Sequence, residues 1–168
     1  MTRINVVPPY SLADQHLLAE YRELPRMRSY IDKLNEKGGV KLEKLLTAYV
    51  LGKGHMLFFA PMKEWLEERH MLLIRELQHR YINLSYKEKL IIPRLLILDG
   101  EGKEYNGQDY NVRPFRSSAD KYLSIARGES LNILRLKEKF KARPTFYRWT
   151  GRTPPMYYYR ALRELTES

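Results

Sequence analysis

One polar face of a predicted helix near the N-terminus carries the residues best suited to chemistry. At about 100° per residue, residues 12–26 bring five polar side chains within an arc of about 120°. These are Gln15, His16, Arg22, Glu23 and Arg26. Two arginines beside Glu23 would keep that carboxylate ionised if it were partly buried, and both could also bind phosphate. The competing interpretation is a solvated polar face with ordinary helical ion pairs.

Thr2 offers a second reactive group. Methionine is generally removed when the next residue is as small as threonine, which would leave the α-amine of Thr2 free. An α-amine titrates at about 7.7–8.0 and lysine at about 10.4, so the neutral fraction of the amine at cytoplasmic pH is roughly a few hundredfold larger. Such an amine can attack an electrophilic sugar or carbonyl carbon to form an imine, and a nearby carboxylate can transfer the protons. Met-Thr starts are also common in proteins in which the amine has no role.

Two consecutive helices are predicted to hold the polar face. Ser11 and Asp14 form a capping box, so the first helix is predicted to start near Leu12. Pro25 removes a backbone donor and should interrupt it. The helical pattern then resumes and should stop at the glycine pair 38–39.

The rest of the chain is also predicted to be mainly helical. A helical piece is expected in KLEKLLTAYVLGKGH, and a core-facing helix is expected from Ala60 to Tyr81, where apolar residues recur at helical spacing. The stretch DGEGKEYNGQDYNVRPF is rich in turn residues and is typical of a long ordered loop. The aromatic and basic C-terminal tail should end in a short helix.

One further long helix is predicted between the loop and the tail. Ser117 with Asp120 can cap it, Gly128 should bend it, and Pro144 should close it. Near its end lies a basic strip, which is either a phosphate-steering surface or the solvated end of a helix: Lys137, Lys139, Lys141 and Arg143. The prediction for the fold class is therefore all-α, a compact single-domain helical fold with long ordered loops over residues 1–168.

Composition narrows the class of protein. The chain has 168 residues, no cysteine and a formal net charge of +10. The absence of cysteine excludes disulfides and thiolate chemistry and suits the cytoplasm, which is the expected location. No apolar stretch is long enough to span a membrane. Excess positive charge attracts polyanions such as nucleic acid, although a merely basic surface is the alternative.

Motifs for metals and nucleotides are absent from the sequence. His70 and His79 do not form an HExxH pair, and DGEGKE lacks the alternating ligands of a calcium loop. LGKGH is not a phosphate-binding Walker loop, because no serine or threonine follows its lysine. We therefore expect no metal and no cofactor.

Two stretches resemble a known family. MTRIN together with LADQHLLAEYRELPR closely resembles the phage-type pyrimidine-dimer DNA glycosylases, the T-even phage endonuclease V family. The similarity extends more loosely to YVLGKGHMLFF, EWLEERHMLLIREL and ARPTFYRWTG. It fades in residues 84–116 and 151–168.

The resemblance implies a catalytic mechanism. These enzymes are compact helical domains that cleave the glycosidic bond of a cyclobutane pyrimidine dimer and then nick the backbone, without a metal. By this resemblance the α-amine of Thr2 attacks the anomeric carbon and forms an imine. Glu23 stabilises positive charge on the sugar and takes the proton for β-elimination. The chain is thus expected to be a bifunctional DNA glycosylase and abasic-site lyase. A monomer is the default expectation for its oligomeric state.

The resemblance also implies a set of DNA contacts. Arg3, Arg22 and Arg26 match phosphate-binding positions of the family, and Gln15 and His16 match polar residues of the same pocket. Three residues of the C-terminal motif are candidates for binding DNA, although Trp149 suits packing in the core equally well: Tyr147, Arg148 and Trp149. The expected partner is duplex DNA that contains damaged bases. Two alternatives remain, a glycosylase of the same mechanism for another damaged or modified base, and a non-catalytic DNA-binding module.

Overall fold

The computed structural model describes residues 3–105 and 118–167, and six α-helices dominate these residues. They are α1 (Asp14–Glu23), α2 (Arg26–Glu36), α3 (His55–Phe59), α4 (Lys63–His79), α5 (Ser118–Ala142) and α6 (Met156–Glu167). Short 3₁₀ turns cover Pro9–Ser11 and Leu42–Lys44. Two strands, β1 (Val40–Lys41) and β2 (Ile97–Leu98), pair in parallel, with Val40 opposite Ile97. The all-α prediction is confirmed, with one two-residue ladder added.

α1 lies antiparallel to α4 in the core. Ion pairs join Asp14 to Arg80 and Glu20 to Arg69, so residue numbers fall along α4 as they rise along α1. The apolar side of α1 and the residue after it are buried: Leu17, Tyr21 and Leu24. Burial of this stripe fixes the rotation of α1 about its own axis and so decides which way its polar face points.

The interruption at Pro25 is confirmed, but the predicted cap is wrong. α1 ends at Glu23 and α2 begins at Arg26. The Ser11 hydroxyl donates to the carbonyl of Pro8 (2.6 Å) rather than capping α1. Because Ser11 belongs to the 3₁₀ turn, the helix starts two residues later than predicted.

The helix predicted in residues 41–55 does not form before His55, where α3 begins. The Tyr49 amide donates to the hydroxyl of Ser124 (3.2 Å), and the Arg3 guanidinium donates to the carbonyl of Leu51. These backbone groups would serve the i to i−4 ladder of a helix, and here they serve tertiary contacts instead. The conformation of this segment is therefore set by its contacts with Arg3 and α5, and not by its local preference for a helix.

α5 runs without interruption through Gly128. A Cβ at this position would lie 2.6 Å from atoms of the Tyr49 ring, so glycine allows the helix to approach that ring closely. The predicted bend is thus replaced by a close contact, and the predicted end before Pro144 is confirmed. The predicted cap at Ser117 and residues 106–117 of the predicted loop lie outside the described residues.

α6 is held on α5 by aromatic and ionic contacts. The Tyr158 ring packs nearly perpendicular to the rings of Phe140 and Trp149, with ring centroids 5.1 and 4.5 Å apart. Glu164 accepts from Lys137 and Lys141. None of the described helices is both long and apolar enough to cross a membrane.

Candidate active site

The N-terminal segment, residues 3–7, lies against α1 and is fixed by buried polar side chains. The backbone amide and the side-chain amide of Asn5 both donate to Glu20 Oε1, each at 2.9 Å. Arg69 Nη1 donates to the carbonyl of Val7 (2.7 Å), while Arg69 Nε and Nη2 donate to the two oxygens of Glu20. One buried ion pair between α1 and α4 thus also holds the segment that leads out to the N-terminus.

Two aromatic side chains hold Ile4. Its amide donates to His55 Nε2 (2.8 Å), and its carbonyl accepts from the Tyr49 hydroxyl (3.0 Å). His55 Nδ1 lies 2.8 Å from the carbonyl of Val50, so Nδ1 carries the proton and Nε2 accepts. Burial lowers the pKa of His55 and favours this neutral form.

A tight turn in the same segment carries backbone strain. Val6 has φ of 66°, which is rare for a β-branched residue. The Val7 amide donates to the carbonyl of Asn5 (2.7 Å), so residues 5–7 form a γ-turn of the uncommon positive-φ kind. The contacts with Glu20 and Arg69 on either side of Val6 keep the chain in this conformation.

A cavity of about 350 Å³ opens between α1, α5 and the N-terminal segment. Its lining residues are Arg3, Asn5, His16, Ala19, Glu20, Glu23, Arg135 and Lys139. Two carboxylates and three cations therefore face one small volume. Within the described residues, no group of three or more histidine, cysteine, aspartate or glutamate side chains could hold a metal ion.

The cations give the cavity a positive field. Burial, followed by the positive charges of Lys139 and Arg135, lowers the pKa of His16 to about 4. Burial is also the main cause of the lowered pKa of Lys139, and Arg135 and Arg3 add to the effect while Glu23 opposes it. Crowded cations are stabilised by an anion between them, so the cavity suits a phosphate group.

The predicted site residues on and near α1 differ in whether they line the cavity. Arg3, His16 and Glu23 line the cavity, and Glu23 is partly buried there. Arg22 and Arg26 are exposed outside it. Thr2, the predicted nucleophile, lies outside the described residues.

Gln15 and the C-terminal motif hold each other. Gln15 Nε2 donates to the carbonyl of Phe146 (2.7 Å), and Gln15 Oε1 accepts from the amide of Arg148 (3.2 Å). Tyr147 stacks on His16 with ring centroids 4.8 Å apart, so it forms the outer support of a cavity residue. The Arg148 side chain is exposed.

Trp149 is largely committed to packing. Its indole Nε1 donates to the carbonyl of Ser11 (3.1 Å), and its ring meets that of Tyr158. The residue is only partly exposed. It thereby anchors the 146–150 segment to the turn that precedes α1.

Three charged lining residues, Glu20, Arg135 and Lys139, were not predicted as members of the site. Glu20 lies four residues after His16 and three before Glu23, so helical spacing could have found it. Arg135 and Lys139 are also four residues apart, on one face of α5. Their distance in sequence from α1 gave no signal that they face Glu23.

The basic strip near the end of α5 is divided among different environments. Lys137 and Lys141 both pair with Glu164 of α6, whereas Lys139 lines the cavity. The guanidinium carbon of Arg143 lies 3.8 Å from the centre of the Phe146 ring. Because these lysines lie on different faces of α5, only Lys139 of the three lines the cavity.

The fold and the cavity define a class of small, basic, mostly helical protein with carboxylates and phosphate-binding cations at one site. The family model described as pyrimidine dimer DNA glycosylase matches residues 1–89, which is more than half of the chain. The chain belongs to this family. Membership makes it a DNA-repair glycosylase whose substrate is DNA. The match covers α1 to α4, while α5, which brings Arg135 and Lys139 to the cavity, lies beyond it.

Proposed function

We propose that this protein removes the damaged base at cyclobutane pyrimidine dimers in duplex DNA and then nicks the strand. The nucleophile in this proposal is the α-amine of Thr2, exposed by removal of Met1. Both steps would take place in one domain, residues 1–168, which works as a cytoplasmic monomer without a metal or cofactor.

The observation that carries the proposal is that Arg3 and Glu23 line the same cavity. Thr2 is bonded to Arg3, and consecutive Cα atoms are about 3.8 Å apart. The segment that begins at Arg3 is held by Glu20, Arg69, His55 and Tyr49 over its first few residues. A fixed segment next to the nucleophile would lower the entropic cost of bringing the reacting groups together, and this supports the choice of the neighbouring α-amine.

The chemistry balances with the groups at hand. The amine nitrogen forms a bond to the anomeric carbon, the glycosidic bond breaks, and the base leaves with the bonding electrons. The proton lost from the nitrogen passes to the departing base. The bond between the anomeric carbon and the ring oxygen then breaks, the ring oxygen takes up a proton, and the protonated imine forms. Removal of a proton from the carbon next to the imine then expels the 3′ phosphate by β-elimination.

Glu23 is the carboxylate proposed for the proton transfers and for stabilising positive charge on the sugar. Arg3, Arg135 and Lys139 surround it in the cavity and would bind the phosphates that flank the reacting nucleotide. His16, whose pKa is lowered to about 4, stays neutral at pH 7 and can exchange hydrogen bonds with the substrate without adding charge.

Borohydride trapping tests the nucleophile. Untagged protein is incubated with duplexes that carry a cyclobutane thymine dimer, an abasic site or no lesion, and the adduct is mapped by mass spectrometry. We expect a covalent adduct at Thr2 on the first two duplexes. A protein extended by residues before Thr2 should bind the dimer duplex and give no adduct, and full trapping by it would contradict the assignment.

Glu23→Gln tests the carboxylate. It preserves shape and removes charge, so single-turnover cleavage at saturating DNA should fall by at least about 10²-fold while Kd stays within about threefold. Glu36→Gln, at an exposed site on α2, is the matched control and should change neither. Equal losses of binding and cleavage in Glu23→Gln would assign Glu23 to DNA binding.

The same trapping experiment tests which base is removed. The chemistry at Thr2 and Glu23 does not depend on which base leaves, and residues 90–168 lie beyond the matched region. Trapping on the abasic duplex alone would favour a glycosylase of the same mechanism for another base. Binding without any trapping would indicate a DNA-binding module.

A further inference from the structure

The C-terminal end of α4 places a tyrosine where a glycine is usual. The Tyr81 amide donates to the carbonyl of Gln78 and the Ile82 amide donates to the carbonyl of Leu77, both at 3.0 Å. This pair of bonds is the Schellman motif, which needs a left-handed residue just after the helix. Tyr81 supplies it with φ of 57°.

The same motif at the end of α2 uses glycine. There the amides of Gly38 and Gly39 donate to the carbonyls of Asn35 and Leu34, and Gly38 has φ of 99°. A bulky side chain in this conformation is strained, whereas glycine is not. The choice of tyrosine at position 81 therefore lowers the stability of the fold.

Packing does not offset that strain. Tyr81 is 95% exposed, so its ring gains almost nothing from burial. Backbone strain that no contact within the folded chain offsets indicates that the residue contacts a binding partner.

The backbone that carries Tyr81 is nevertheless held in place by the residue before it. The Arg80 side chain beneath it is buried and donates to Asp14 Oδ1 (2.8 Å) and to the carbonyl of Tyr10 (3.1 Å). Its Nε also donates to Glu76 (3.1 Å). The tyrosine therefore projects from a rigid base at the N-terminal end of α1.

Tyr81 and the residues after it lie along one side of α1, next to the proposed DNA surface. The chain after Tyr81 returns along α1, where the Tyr21 hydroxyl donates to the carbonyl of Tyr86 (2.7 Å). At about 100° per residue, exposed Arg22 lies between Tyr21 on that side and Glu23 on the cavity side. DNA that covers Arg22 and reaches the cavity would thus have the segment that starts at Tyr81 along its edge.

We propose that Tyr81 contacts the sugar-phosphate backbone of duplex DNA, with its ring against a deoxyribose and its hydroxyl donating to a phosphate oxygen. Tyrosine is one of the side chains that bind phosphate and sugar without reading sequence. The contact rests on the proposed function of the cavity, because it requires DNA to lie across α1. It adds affinity at a cost in stability.

The test is a variant in which stability and binding move in opposite directions. Tyr81→Gly should raise Tm by about 2–4 °C, because the left-handed strain is removed. It should also raise Kd for dimer and undamaged duplexes alike, by about three- to tenfold. The salt dependence of Kd should be unchanged, since tyrosine carries no positive charge. The single-turnover rate at saturating DNA should match that of the wild type.

Two further variants sharpen the result. Tyr81→Phe keeps the ring and the backbone strain, so it should leave Tm unchanged and weaken binding through loss of the hydroxyl alone. Tyr122→Ala removes another tyrosine, 71% exposed on α5 and 13 residues before Arg135, about 20 Å along the helix. This control should leave Kd unchanged.

Either of two outcomes would overturn the inference. One is a Tyr81→Gly protein that is less stable than the wild type, because the strain argument would then be wrong. The other is wild-type affinity in both Tyr81→Gly and Tyr81→Phe while the wild type binds and is trapped on dimer DNA. Failure of the wild type itself to bind DNA would instead overturn the proposed function and this inference with it.

Discussion

Two glutamates three residues apart on α1 have different environments and therefore different proposed roles. Glu20 is 1% exposed, and its oxygens accept four hydrogen bonds from Asn5 and Arg69. Glu23 is partly exposed in the cavity beside Arg3 and Lys139. Both carboxylates line the cavity, but buried Glu20 is held by four hydrogen bonds, so we assign it to structure and propose that the more exposed Glu23 meets the substrate.

Loss of charge at Glu20 should therefore damage the fold. Glu20→Gln leaves Arg69 buried without its partner, and breaking such a pair costs about 3–5 kcal/mol. Denaturant unfolding should show this loss, whereas Glu36→Gln should stay within about 0.5 kcal/mol of the wild type. A Glu20→Gln protein of wild-type stability would mean that the ion pair contributes nothing to the fold.

His16 makes stability depend on pH. The pKa of His16 is lowered from 6.5, the value for an unfolded chain, to about 4 in the folded chain. Between pH 4 and pH 6.5 the unfolded chain therefore binds more protons than the folded chain. The contribution of His16 is complete above pH 6.5 and is lost as pH falls towards 4, by at most about 3 kcal/mol. Buried His55 and His70, whose pKa values are also lowered, act in the same direction.

Replacing His16 should flatten this dependence. In Tm measured from pH 7.5 to 4, His16→Gln should show a smaller fall than the wild type, and His79→Gln, at an exposed site, should show the same fall. Equal slopes for wild type and His16→Gln would show that His16 titrates alike in the folded and unfolded chains.

At the scale of elements, α5 connects the cavity with the N-terminal segment. Asn132 donates to the Tyr49 hydroxyl (2.6 Å), and Arg135 donates to the side-chain oxygens of Asn132 and Asn5. The Tyr49 hydroxyl in turn holds Ile4. The approach of α5 to Tyr49 therefore sets the position of Arg135 relative to the N-terminal segment.

Gly128 permits that approach, so its replacement should be unfavourable. In an ordinary helix interior, Gly→Ala stabilises by about 1 kcal/mol. Here the new methyl group would meet the Tyr49 ring at 2.6 Å, and overpacking should cost about 1–3 kcal/mol. Ser130→Ala, exposed on the same helix, should be near neutral in the same unfolding measurement. A stabilised Gly128→Ala protein would show that the ring moves aside freely.

At the scale of the whole molecule, charge decides the class of partner. The net charge of +10 acts over the surface, while the fold gathers three cations in one cavity and leaves Arg22 and Arg26 exposed next to it. A polyanion is therefore attracted at long range, and the cavity with its carboxylate is the place where we propose that it binds.

The exposed arginines should contribute to the salt dependence of DNA binding. Arg22→Ala should weaken binding to DNA of any sequence and reduce the slope of log Kd against log salt by about one, because one phosphate contact is lost. Arg75→Ala, an exposed control on α4, should leave the slope unchanged. An unchanged slope in Arg22→Ala would place Arg22 away from phosphate.

The sequence alone determined the features that depend on neighbours within a few turns. The helical class, the break at Pro25, the stop at the glycine pair and the polar face that holds His16 and Glu23 all follow from spacing and backbone chemistry. The similarity of the first segment to a known family came from the same local residues.

Only the tertiary structure decided which distant residues complete the site. Arg135 lies more than 100 positions after Glu23. It lines the cavity because α5 packs closely against Tyr49 at Gly128, and no local sequence pattern encodes that packing. Residues 41–54 lost their predicted helix for the same reason, because their backbone groups bind Arg3 and Ser124 instead of each other. Local propensity is worth tenths of a kcal/mol per residue, and buried polar contacts between distant segments outweigh it.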